Sequence, residues 1–175
     1  ECGLPYKVVP VNIGQGDQFT DAFLEMTPNH RMPVMVDNAP ADGGKPLSVF
    51  ESGAILLHLA ERFGQLIPSD TVGRTRALEY LFFQVGGVGP MFGQAGWFQR
   101  NAPELTVAVK RYRDESVRLT AVLESRLATT PWLLGATDNT MARAKQLYIE
   151  GEVKAAADHE QQVRYDAFAD KARWN

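Results

Sequence analysis

The pattern of apolar and polar positions changes character near residue 68. Before it, short alternating runs are separated by turn residues. Residues 7–13, K-V-V-P-V-N-I, alternate well enough for a strand, and Pro10 restricts it to a sheet edge because proline brings no N–H to a ladder. Gly14-Gln15-Gly16-Asp17 reads as a turn, and Thr20 is placed to cap a short helix over 21–26 that Pro28-Asn29 ends. Residues 33–37, P-V-M-V-D, form a strand that begins on a proline. A turn-rich loop over 38–45 then leads to a second strand at 47–50, a hairpin's distance away. Glu51-Ser52 precede a run over 53–63 with apolar residues at helical spacing, closed by Gly64.

Beyond residue 70 the strand signals stop. Helices are predicted over 74–84 and 91–100, with Gly86-Gly87-Val88-Gly89-Pro90 disturbing the pattern between them. A kink or a close approach is expected there. Residues 107–128 read as a long amphipathic helix with i,i+4 charge pairs such as Asp114 and Arg118, and 143–174 as a further helical stretch. The expected organisation is a small α/β unit over 1–67 followed by an all-helical unit over 68–175.

Composition narrows the function classes. A chain of 175 residues holds one ordinary domain or two small ones, and 45% apolar with 22% charged residues is ordinary for a globular protein. A net charge of −3 has the wrong sign for phosphate-backbone binding, so no nucleic-acid partner is expected. The longest apolar run, 54–60, is broken by His58 and is far too short to span a membrane. A lone Cys2 excludes an intrachain disulfide and a cysteine-based metal site, and the three histidines lack H-E-x-x-H spacing, so no metal is expected. The opening E-C-G-L-P lacks the basic and then apolar pattern of a secretion signal, which leaves the cytoplasm as the default expectation.

Two places could carry chemistry. Glu51-Ser52 stand at a predicted helix N-terminus, where unpaired N–H groups and the helix dipole favour an anion. The dipole supplies about 0.3–2 kcal/mol, whereas millimolar affinity needs about 4 kcal/mol. Taken alone, the motif is better explained by Ser52 acting as an ordinary N-cap, and a ligand there needs further contacts. Met32-Pro33 can provide them. A cis bond at that position would turn the Met32 N–H and C=O outward, where a small peptide could pair with them as an added strand.

The order of edge strand, short helix, M-P-V-M-V-D, hairpin strand and F-E-S-G-A-I-L-L-H-L-A-E closely resembles the glutathione transferase family. D-G-G-K-P-L-S at 42–48, Y-L-F-F-Q-V-G-G-V-G-P-M-F-G-Q at 80–94 and K-R-Y at 110–112 are similar to the bacterial nu-class branch. That branch is related to the yeast prion-type nitrogen regulator. The likeness runs from Glu1 to about residue 140. It implies an incomplete thioredoxin-like domain lacking its first strand, a helical C-terminal domain and a homodimer. Its implied ligand is glutathione, used with a small electrophile or a disulfide, and its implied activity is conjugation or glutathione-dependent disulfide reduction.

Carried over residue by residue, the resemblance implies that the Met32 backbone, turned at Pro33, pairs with the cysteinyl part of glutathione. Glu51 and Ser52 would hold the γ-glutamyl amine and carboxylate. Gln18 and Arg31 are further polar candidates, and Arg111 would supply a guanidinium from the helical half. Read without the family, Gln18 is a loop residue and Arg111 a solvated helical charge.

The thiol-activating residue of such enzymes lies in a T-P-N-type stretch that has no equivalent here. Glu1 matches the end of the family's first helix, so about 20 residues are expected upstream, a strand and most of a helix of ordinary length. The catalytic residue is expected among them, and Cys2 is no substitute for it. Near the other end, Thr140-Met141-Ala142-Arg143 carries arginine where the family's S/T-x-x-D capping motif has aspartate, which suggests an internal deletion. A non-catalytic glutathione-binding module and an inactive fragment are the alternative expectations.

Overall fold

The computed structural model describes residues 2–135 of the chain. These fall into two compact units, residues 2–65 and 66–135.

The first unit is α/β. Two 3₁₀ turns, Ile13–Gln15 and Asp17–Phe19, are joined by Gly16, whose φ of 83° supplies the left-handed link. The Asp17 carboxylate accepts the Asn12 N–H at 2.8 Å and fixes this double turn. Helix α1, Asp21–Leu24, follows and buries Phe23. Strands β1, Val34–Asp37, and β2, Leu47–Phe50, pair antiparallel from Val34 against Phe50 to Asp37 against Leu47. Helix α2, Ser52–Phe63, packs on both strands, buries Ala60 fully and ends at Gly64 in the left-handed conformation, φ 61°.

Two expectations for this unit need correction. The strand read over 7–13 does not form. The sheet contains only β1 and β2, and residues 2–12 adopt no regular structure, with Tyr6, Val8 and Val9 at 87%, 73% and 69% exposure. Alternation describes a strand only when a neighbour completes its ladder, and among the described residues none does. Thr20 does stand before α1, but its hydroxyl donates back to the Asp17 carbonyl at 2.8 Å instead of capping the helix.

The second unit is helical. Helix α3, Thr71–Phe83, starts three residues earlier than its apolar period suggests, because Asp70 caps it by accepting the Gly73 N–H at 2.8 Å. Glycine is required at 73. A Cβ there would stand 2.6 Å from Pro68 Cβ and 2.7 Å from Asp70 Oδ2. The expected kink is a π turn, Gln84–Val88, leading into α4, Gly89–Asn101. Pro90 has no N–H to continue an α-helical ladder, and the π turn accommodates it by directing the Gly89 N–H to the Gln84 carbonyl.

Helix α5, Thr106–Leu127, packs against α4. Val88, Phe92, Leu119, Leu123 and Leu133 form the buried centre of this unit, and Phe98 stacks on Tyr112 with centroids 5.3 Å apart. The Asp114–Arg118 pair expected on α5 is replaced by Lys110–Asp114 and by Arg118–Glu115 at 2.7 Å, because Arg118 engages the nearer carboxylate bidentately. No helix among the described residues is long and apolar enough to cross a membrane. The helix expected over 143–174 and the 140–143 motif lie outside the described residues.

Candidate functional site

The sheet register assembles the candidate site. Val34 pairs with Phe50, so the residues just beyond them, Pro33 on one side and Glu51 on the other, leave the sheet side by side. Met32 thus arrives next to the N-terminus of α2. The Met32–Pro33 bond is cis, as the turn reading anticipated, and among the described residues neither Met32 N–H nor C=O takes part in a backbone hydrogen bond. Pro33 suits the first position outside the strand, where a missing N–H costs no ladder bond.

Glu51 rather than Ser52 is the N-cap. Its φ of 69° and ψ of 120° lie where only glycine is at ease, and such a conformation costs about 1–3 kcal/mol. Two bonds hold it there. Its carbonyl accepts the Ile55 N–H at 2.9 Å, and its carboxylate accepts the Asn29 side-chain amide at 2.9 Å. The consequence falls on Ser52. It opens the helix exposed, and no side-chain cap bond is made at this helix end. The ordinary N-cap explanation of Ser52 therefore does not apply.

The turn itself rests on His30, which has a φ of 54° and packs its ring on Phe19 at 5.3 Å between centroids. Gln18 donates to the Ile13 carbonyl at 3.4 Å, while its Oε1 is buried without a hydrogen-bond partner among the described residues. His30 Nδ1 is in the same condition. Arg31 is exposed at the turn. Of the predicted site residues, Met32, Pro33, Glu51 and Ser52 converge at one sheet end, and Gln18 and Arg31 belong to the same unit. Arg111 lies on α5 in the other unit, where it is exposed and helps keep the Glu115 carboxyl below its ordinary range, after the larger effect of the Arg118 hydrogen bond.

Sequence reasoning missed Asn29 and His30. Asn29 read only as a helix stop, although an Asx residue before a strand is a common side-chain anchor. His30 belongs to the few residue types enriched at positive φ, a weak signal available in the sequence.

Comparison with known proteins identifies the family. A family model described as the glutathione S-transferase N-terminal domain matches residues 1–61. The disulfide-bond oxidoreductase YfcG of Escherichia coli (strain K12) is 48% identical over 136 residues, 77% of this chain; the chain spans 63% of that relative's length. A glutathione transferase from Burkholderia graminis, solved with two glutathione molecules bound per subunit, matches with a TM-score of 0.81 at 41% identity, covering 90% of this chain and 67% of that one. A glutathione transferase from Pseudomonas putida, solved with one glutathione disulfide bound per subunit, gives a TM-score of 0.81 at 34% identity and covers 98% and 75%. With these relatives at 34–48% identity, and two solved glutathione transferases covered to two thirds or more, the chain belongs to the glutathione S-transferase family.

Proposed function

We propose that the first unit binds glutathione. The observation that carries this reading is the unpaired Met32 backbone standing beside a helix N-terminus whose Ser52 is left open and whose Glu51 is held in place by Asn29. In this reading the Met32 N–H and C=O pair with the cysteinyl unit, as an added strand would. Ser52 and the first N–H groups of α2 take the γ-glutamyl carboxylate, and Glu51 takes the γ-glutamyl amine. Gln18 and Arg31 supply further polar contacts. The buried, unpartnered Oε1 of Gln18 supports that assignment, since such an atom is expensive unless a ligand or solvent group meets it.

The chemistry follows from the thiol so held. The glutathione thiolate attacks a small electrophile, forming a C–S bond as the leaving group departs, or attacks a small disulfide, forming a mixed disulfide and expelling a thiolate. The name of the Escherichia coli relative favours the disulfide. The working state is a homodimer in the cytoplasm, and light scattering on the purified protein tests the dimer.

Titration calorimetry with glutathione tests the binding. Ser52→Ala removes a hydrogen bond to a charged group, so affinity should fall about 10–100-fold, from about 1.5–3 kcal/mol. Arg111→Ala tests the residue that the family resemblance adds from the helical unit. Turnover of chlorodinitrobenzene or of a small disulfide tests the chemistry. A chain that binds glutathione and turns over neither is a binding module, and one that shows no binding refutes the reading.

A further inference from the structure

A cluster of ionisable side chains lies at the other end of the same two elements. Asp37 is the last residue of β1, and its side chain is 14% exposed. Its Oδ1 accepts the Ala39 N–H at 3.1 Å. Its Oδ2 accepts from two residues one turn apart on α2, His58 Nε2 at 3.0 Å and Arg62 Nη1. An ionised carboxylate only accepts, so His58 carries its proton on Nε2. Arg62 also donates through Nη2 to the Ala39 carbonyl, and its guanidinium lies over the Phe63 ring at 5.2 Å. One carboxylate and one guanidinium thus join the end of β1, the turn after it and two successive turns of α2.

We propose that Asp37, acting through His58 and Arg62, is a positioning residue for glutathione, a role that presupposes glutathione binding at the Met32 turn. The reasoning is that of a lever. Met32 lies at the start of β1 and Ser52 at the start of α2, whereas the clamp grips the end of β1 and the second half of α2. Ser52 is six residues from His58, about 9 Å along a helix. A tilt of ~6° about the clamp therefore shifts the helix start by ~1 Å relative to the turn. A bound tripeptide that spans both would lose hydrogen-bond geometry at one end. At the site this tilt is opposed by the single exposed Asn29–Glu51 bond and by the chain itself, which enters α2 one residue after Phe50 of β2, so the clamp supplies the restraint at the far end of the helix.

The test combines glutathione titration with amide hydrogen exchange on the unsubstituted chain, Asp37→Asn, His58→Gln and His58→Leu. Asp37→Asn should weaken glutathione about tenfold, the loss of roughly one hydrogen bond. It should also speed exchange of the Ile55 amide and its first-turn neighbours, while amides around Leu119 keep their rates and show that the chain is folded. Glutamine at 58 retains an N–H donor and should restore binding to within about threefold, whereas leucine should behave like Asp37→Asn. A general loss of stability would not distinguish glutamine from leucine in affinity per folded molecule. Unchanged affinity and first-turn exchange in Asp37→Asn would overturn the proposal, as would equal behaviour of the two His58 variants. If the unsubstituted chain binds no glutathione, the role falls with the glutathione reading, and the exchange rates still report separately whether the clamp holds the helix.

Discussion

Glu51 combines a backbone that wants glycine with a carboxylate assigned to a ligand, so two substitutions should separate stability from binding. Its φ of 69° costs a side-chain-bearing residue about 1–3 kcal/mol, and glycine removes most of that cost. Glycine in turn gives up about 0.5–1 kcal/mol of chain entropy. Either substitution also loses the exposed bond from Asn29 at 2.9 Å, worth about 0.5–1.5 kcal/mol. Glu51→Ala keeps the strain and loses the bond, and should be about 1 kcal/mol less stable than the unsubstituted chain. Glu51→Gly should lie within about 1 kcal/mol of it and above the alanine variant by roughly 0.5–2 kcal/mol. Both lack the carboxylate, so both should lose glutathione affinity equally, by about tenfold or more. Urea unfolding followed by exchange of the Ile55 amide, which the Glu51 carbonyl binds, gives the stabilities, and calorimetry gives the affinities. An alanine variant as stable as the glycine variant would show that the backbone at 51 is unstrained. Unequal affinities would show that the carboxylate is not the group that matters.

Four further outcomes follow from the helical unit. Gly73→Ala drives a methyl against Pro68 and the capping carboxylate of Asp70 and should cost about 1–3 kcal/mol. Gly93→Ala, with no heavy atom within 4 Å of the new methyl, should gain about 0.5–1 kcal/mol, and urea midpoints decide the sign of each. Leu119→Ala empties the centre of the helical unit and should cost about 2–5 kcal/mol in the same assay. Arg118→Ala should return the Glu115 carboxyl toward its ordinary range, since the Arg118 hydrogen bond is the main cause of its depression. A group depressed in the folded state contributes above its unfolded pKa and loses that contribution as pH falls through the folded one, so the variant should show less acid sensitivity in this region. Carboxyl NMR titration checks the shift.

What the sequence revealed and what it hid divide along a physical line. β1, β2 and α2 were legible because each carries a local period bounded by turn residues, so nearby sequence alone specifies them. The close of α2 at Gly64 was legible for the same local reason. The convergence of Met32 with Glu51 and Ser52 was suggested by the proline turn and the helix start and sharpened by family resemblance, and the register of two strands shows how it arises. Bonds between residues far apart were not legible. Asn29 to Glu51 spans 22 positions and Asp37 to Arg62 spans 25, and no local pattern announces either partner. Residues 7–13 failed in the opposite sense, because their alternation was real but a ladder needs a second strand.

That same stretch has a consequence for solubility. Within residues 7–13, Val8 and Val9 are exposed, and among the described residues the backbone of 7–11 makes no backbone hydrogen bond, features of a segment that recruits copies of itself. Lys7 and Pro10 interrupt it, one with a charge and the other by withholding a donor, the two devices that keep natural edges from adhering. Pro10 thus acts as a gatekeeper against self-association. Replacing it with valine would leave four consecutive valines over 8–11, and the protein's working concentration, before its affinity for any ligand, would be the first property to fall.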